Sequence, residues 1–210
     1  MVVYEPITKV NLERITNGVF GFTMTLLAKD IVTPDQYEKA VSITVDQFFN
    51  NTLSSILDFI GVFILLAMFW MLFYQMFHRM KTYDYHFIHV HMLALMAIVL
   101  IPFSSQFSNL ADNFTFADYF FQFNILMLGV ILVYLWHYAT SKPELLTPEL
   151  TKADARFLFN KCLVPVAVAI IGVAWITADL EYTDITSFLP FIIFGIFFRN
   201  PPINEDNPTR

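Results

Sequence analysis

The chain has 210 residues, of which 57% are hydrophobic, 17% aromatic and only 14% charged. A soluble domain is about 45–50% apolar and about 25% charged, so a disordered tail and a collagen-like chain are excluded and the composition argues against an ordinary soluble enzyme. A net charge of −6 argues against nucleic acid as a partner, and a single Cys excludes a disulfide scaffold.

A helix needs about 20 mostly apolar residues to cross a bilayer. Six stretches are expected to do so. The first runs from about Leu12 to Ala28 and the second from Leu53 to Phe77. The third is Phe87 to Phe107, the fourth Ala117 to Ala139 and the fifth Phe157 to Ala178. The sixth, Ile185 to Phe198, is short and contains Pro190. The first stretch is not a signal peptide, because no small-residue cleavage site follows its apolar part. The expected fold is therefore an all-α integral membrane domain over residues 1–199. A polar tail, 200–210, is expected to be disordered.

Lys and Arg orient these spans. Lys9, Arg14, Arg79, Lys81, Lys142, Lys152, Arg156, Lys161, Arg199 and Arg210 fall on one side, and only Lys29 and Lys39 on the other. The positive-inside rule then makes both termini cytoplasmic and requires an even number of spans. The outer loops collect acids such as Asp30, Asp35, Asp112 and Asp179. Between spans one and two, Pro34 followed by Tyr37, Ala40, Val41 and Thr44 predicts a short surface helix. Asn50-Asn51-Thr52 and Asn113-Phe114-Thr115 match glycosylation acceptors on the outer side. Such tripeptides also occur by chance. Cys162 has no partner and reads as a packed core thiol.

Polar groups at membrane depth are costly and usually face a bundle interior. The first span, NLERITNGVFGFTMTLLAKDI, holds the most. Asn11, Ile15, Gly18, Phe22, Thr25 or Leu26, and Lys29 recur every three or four residues and form one stripe. Small and hydroxyl residues on one stripe suit a pore lining or a central packing helix. The plainer reading is that Thr23 and Thr25 bond only to their own helix backbone. The five histidines invite haem ligation across helices, but no HExxH or Cys/His pattern accompanies them. No cofactor is expected, and no nucleotide or hydrolase motif is visible. A membrane redox subunit and a proton-coupled transporter remain alternatives. Against the transporter, spans one to three and four to six show no obvious inverted repeat.

Three segments carry a family resemblance. GVFGFTMTLLAKDI is similar to the first helix of the transmembrane protein 175 family of endosomal and lysosomal potassium channels and their prokaryotic relatives. Trp70 with Phe77 resembles the Trp-containing second helix. MLALMAIVLIPFSSQF, with Ile101-Pro102-Phe103-Ser104, is similar to the end of the third. The chain departs from the family's Arg-x-x-x-Phe-Ser-Asp signature. Asn11 stands for the Arg, and Ile15-Thr16-Asn17 for Phe-Ser-Asp. Phe73 takes the place of a His in the second helix, and His91 that of an Asn in the third. Loss of both the Arg and the Asp reads as a matched change within an inner polar cluster of Asn11, Thr16, Asn17 and His91.

The resemblance implies a homotetrameric, potassium-permeable channel in a prokaryotic cell membrane. Helix one would line its axis, with no carbonyl-lined filter. On this sequence the matching positions are Phe22 for an apolar constriction and Thr25 for a hydroxyl ring. Leu26 is the next apolar candidate, and Gly18 lies on the same stripe. Lys29 would place four ammonium groups at the outer mouth unless it snorkels to Asp30 or Asp58.

Overall fold

A computed structural model describes residues 8–31, 45–110 and 115–178, together with Ile192 and Gly195. The expected surface helix near Pro34, most of the sixth span and the polar tail lie outside the described residues. Those that are described form five long helices: α1 (Lys9–Leu27), α2 (Val45–His78), α3 (Tyr85–Leu110), α4 (Thr115–Ser141) and α5 (Lys152–Thr177). Among them, α2 to α5 are long and apolar enough to cross a membrane. The first expected span is a helix as well, but Lys9, Glu13 and Arg14 in its first turns make it less apolar than its neighbours.

The helix ends follow local chemistry. Thr8 caps α1 by accepting the Asn11 N–H, and Thr151 caps α5 by accepting the Asp154 N–H. Helix α2 starts at Val45, well before the expected Leu53. The run VDQFFNNT is too polar to register as a span, yet it extends the helix and takes Asn50-Asn51-Thr52 into helical backbone.

Helices α3 and α4 pack along their length, as do α4 and α5, while α1 lies against α3 and α2. Two glycines permit the close approach of α4 and α5. A Cβ on Gly172 would fall 2.5 Å from the Gln122 amide, and one on Gly129 would meet the Val166 side chain at 3.0 Å. Small residues let membrane helices approach in this way. The core is aromatic and aliphatic, with Phe20, Phe69, Phe73, Phe87 and Trp136 fully buried.

One end of the bundle is closed by a clasp between two connections. Met80 and Leu146 form an isolated antiparallel bridge. Around it, the Lys81 N–H donates to Leu145 O at 2.7 Å and the Thr147 N–H to Arg79 O at 3.0 Å.

Candidate functional site in helix α1

Helix α1 has two unlike faces. Leu12, Thr16, Phe20, Thr23 and Leu27 are buried. Asn11, Ile15, Gly18, Phe22, Thr25 and Lys29 are exposed, with Phe22 62% accessible. The stripe expected from spacing is therefore the uncovered face of the chain, while Leu26 is half-buried at its edge. Asn11, Arg14, Ile15, Gly18, Val19 and Phe22 line an open groove against Val99 of α3.

The two threonines differ. The Thr25 hydroxyl donates to Phe22 O at 2.7 Å, one turn back. Thr23 is buried, and its hydroxyl has no hydrogen-bond partner among the described residues.

The expected inner polar cluster is divided in three. Thr16 Oγ1 lies 2.8 Å from Leu12 O and 2.7 Å from His91 Nε2. A hydroxyl has a single O–H, and the Leu12 carbonyl accepts it. His91 Nε2 must then be the donor to Thr16. This leaves Nδ1 as an unprotonated acceptor, buried with no partner among the described residues. The opposite tautomer would strand a buried N–H, the costlier fault.

Three phenyl rings box His91. Phe73 and Phe77 approach edge-on with centroids at 5.1 and 5.3 Å, and Phe87 stacks at 6.3 Å. Phe73 and His91, two positions at which the sequence departs from the family signature, are thus neighbours. Asn17 turns elsewhere and accepts the Trp70 indole N–H at 2.9 Å. Asn11 is exposed and does not join either pair.

The first turns of α1 are tied to the clasp. Lys9 Nζ donates to Met80 O at 2.5 Å and lies 3.8 Å from Glu13. The Tyr83 O–H donates to Glu13 at 3.5 Å. Burial, then the Glu13 charge and this hydrogen bond, push the Tyr83 phenol well above its ordinary range. Beside it, Asp84 accepts from Lys142 at 2.8 Å and from the Tyr138 O–H at 2.5 Å. Burial alone would raise the Asp84 carboxyl. The bonds from Lys142, Tyr138 and the Phe87 N–H outweigh it and hold the group down at about 2. Its hydrogen bond to Asp84 in turn holds the Lys142 ammonium above its ordinary value.

The other histidines are dispersed. His86 Nε2 meets the Tyr134 hydroxyl at 2.8 Å, His89 Nδ1 meets Tyr85 O at 2.5 Å, and His78 stacks on Tyr74. Among the described residues, no three His, Cys, Asp or Glu gather as metal ligands.

Sequence reasoning counted Lys161 only among the inner-side basic residues and did not expect it to be buried within α5. It donates to Gln75 Oε1 at 3.4 Å and sits 4.5 Å above the Phe157 ring. Phe157, four residues earlier on the same helix face, was the available signal.

Long apolar helices and the family comparison together make this an integral membrane protein. No curated protein matches the chain. Residues 11–102 match the family model described as endosomal/lysosomal potassium channel TMEM175. That match spans nearly all of α1, all of α2 and most of α3, and it supports the chain's membership of the TMEM175 potassium channel family.

Proposed function

We propose that the chain is a potassium-permeable cation channel formed by a homotetramer, with α1 around its axis. The observation that carries this reading is the uncovered stripe of α1. Lipid is a poor solvent for Asn11, Arg14 and Lys29, all exposed on this helix. Water on one side and further copies of the chain on the other would satisfy both its polar groups and its apolar ones. Gly18 and Gly21 are open on the same helix, with nothing among the described residues within 4 Å of a notional Cβ. Copies of α1 can therefore approach closely there.

In this reading Phe22 forms the constriction. A ring of large apolar groups narrows a pore and closes it by dewetting. Thr25 stands one turn further along. Its O–H is given to the backbone, so its oxygen lone pairs are what face a passing cation. Lys29 sits at the end of the stripe and opposes cation entry. The bridge between Met80 and Leu146 supports a shared side for the two connections that carry Arg79, Lys81, Lys142 and Lys152. By the positive-inside rule that side is cytoplasmic, together with both termini. From the resemblance to the family's prokaryotic relatives we take the membrane to be a prokaryotic cell membrane, with residues 1–199 as its resident domain and 200–210 as a polar tail.

The test is flux from liposomes holding the purified protein. Potassium should pass in preference to sodium and chloride, and Lys29→Gln should raise the rate. Absence of cation flux, or a chloride flux, overturns the reading. A slower Lys29→Gln would reverse the role given to that residue.

A further inference from the structure

A second cleft lies beside the pore-candidate stripe, between the first turns of α1 and the last turns of α2, with a volume of about 270 Å³. One wall is an aromatic ladder. Trp70 stacks on Tyr74 with centroids 5.8 Å apart, and Tyr74 stacks on His78 at 6.3 Å. All three rings are exposed.

The other end of the cleft is charged. Lys9 and Glu13 stand 3.8 Å apart, each with about a third of its side chain accessible (33% and 34%). Both are under-served. A charge-assisted bond is about 2.7–2.9 Å long, yet Glu13 meets Lys9 at 3.8 Å and the Tyr83 O–H at 3.5 Å. Lys9 spends one of its three N–H donors on Met80 O. Trp70 holds the oxygen of the Asn17 amide, which leaves the NH₂ as a further donor on the cleft wall.

We propose that this cleft seats the headgroup of a zwitterionic glycerophospholipid from the adjacent leaflet. The phosphate would accept from Lys9 and Asn17. The ammonium would be held by Glu13, beside the exposed rings that line the cleft. The lipid's glycerol and acyl part would run along Trp70 and Tyr74 into the membrane. The charge pattern is what selects the occupant. A cation and an anion side by side match a headgroup carrying both signs, whereas Glu13 would repel a purely anionic one. At about 270 Å³ the cleft falls just under the usual range for small-ligand pockets, about 300 Å³ upward, so it has room for a small polar group and not for a folded partner. The site does not depend on ion conduction, so its failure and that of the channel reading are distinguishable.

The experiment is native mass spectrometry of the full chain in detergent, titrated separately with phosphatidylethanolamine and phosphatidylglycerol. The ethanolamine lipid should be retained several-fold more than the glycerol lipid. Glu13→Gln should erase that preference. Tyr74→Ala, at an exposed position that leaves the Lys9 and Glu13 contacts untouched, should lower retention of the ethanolamine lipid several-fold. Equal or tighter binding of phosphatidylglycerol overturns the proposal, as does retention indifferent to both substitutions. Absence of any retained lipid on protein with an unchanged helical spectrum also overturns it.

Discussion

The two faces of α1 differ by about a third of a turn and obey different rules. On the covered face, Leu12, Phe20 and Leu27 pack into the aromatic core, and Thr16 is bonded to His91. On the open face, Ile15, Gly18, Phe22 and Thr25 touch little of their own chain. The covered face answers to packing within one subunit. In the proposed channel the open face would answer to ions, water and other subunits. A substitution's effect should therefore depend on which face it falls on, even between neighbours such as Phe20 and Phe22.

The largest break in that contrast should come from Phe20→Ala. Removing a fully buried Phe that packs 6.0 Å from Phe73 should cost about 3–5 kcal/mol of stability. Thermal unfolding of the solubilised protein, followed by circular dichroism, measures it; an unchanged midpoint would mean the covered face is not core. Thr16→Val comes next. It keeps the shape but leaves the buried His91 N–H unpaired, at about 1–3 kcal/mol. If that variant is as stable as the parent, the Thr16–His91 hydrogen bond adds nothing to stability.

A smaller effect belongs to the clasp. The folded-state carboxyl of Asp84 is depressed to about 2 from its ordinary 3.8. Its contribution is therefore full above about pH 4 and is lost as pH falls toward 2. Asp84→Asn should be less stable than the parent at pH 7, and the gap should close between pH 4 and 2. A gap that persists at pH 2 would assign the effect to shape and not to charge. The smallest stability change should be that of Phe22→Ala, within about 0.5 kcal/mol for an exposed site. The same variant should raise potassium flux from liposomes. A large loss of stability with no change in flux would make Phe22 a packing residue.

Much of α1 was legible in the sequence because helical spacing is a one-dimensional signal. The recurrence of Asn11, Ile15, Gly18, Phe22 and Thr25 every three or four residues marks one stripe, and that stripe is the one left uncovered. Hydropathy likewise marks the cores of α2 to α5. It fails at their polar ends, as at Val45 to Thr52, where a helix runs on without apolar support. Pairings between distant residues leave no such trace. Thr16 and His91 both stood out as polar residues in apolar spans, but nothing in their positions said that they meet while Asn17 turns to Trp70. The bridge between Met80 and Leu146 and the bonding of Asp84 to Tyr138 and Lys142 join residues more than fifty positions apart. Single-residue character could not reveal them.

That bridge also imposes an order on biosynthesis. Chains emerge from the ribosome N-terminus first. Lys9 can reach the Met80 carbonyl once α1 and α2 have been made, but the Met80 backbone has to wait for Leu146, sixty-six residues later. By then α3 and α4 have both been synthesised, and the clasp can close only if their hairpin has returned the chain to the side it left. The clasp is thus among the later contacts to form. A chain whose α3–α4 hairpin is threaded wrongly would leave the Lys81 N–H and the Arg79 carbonyl unmatched at that end.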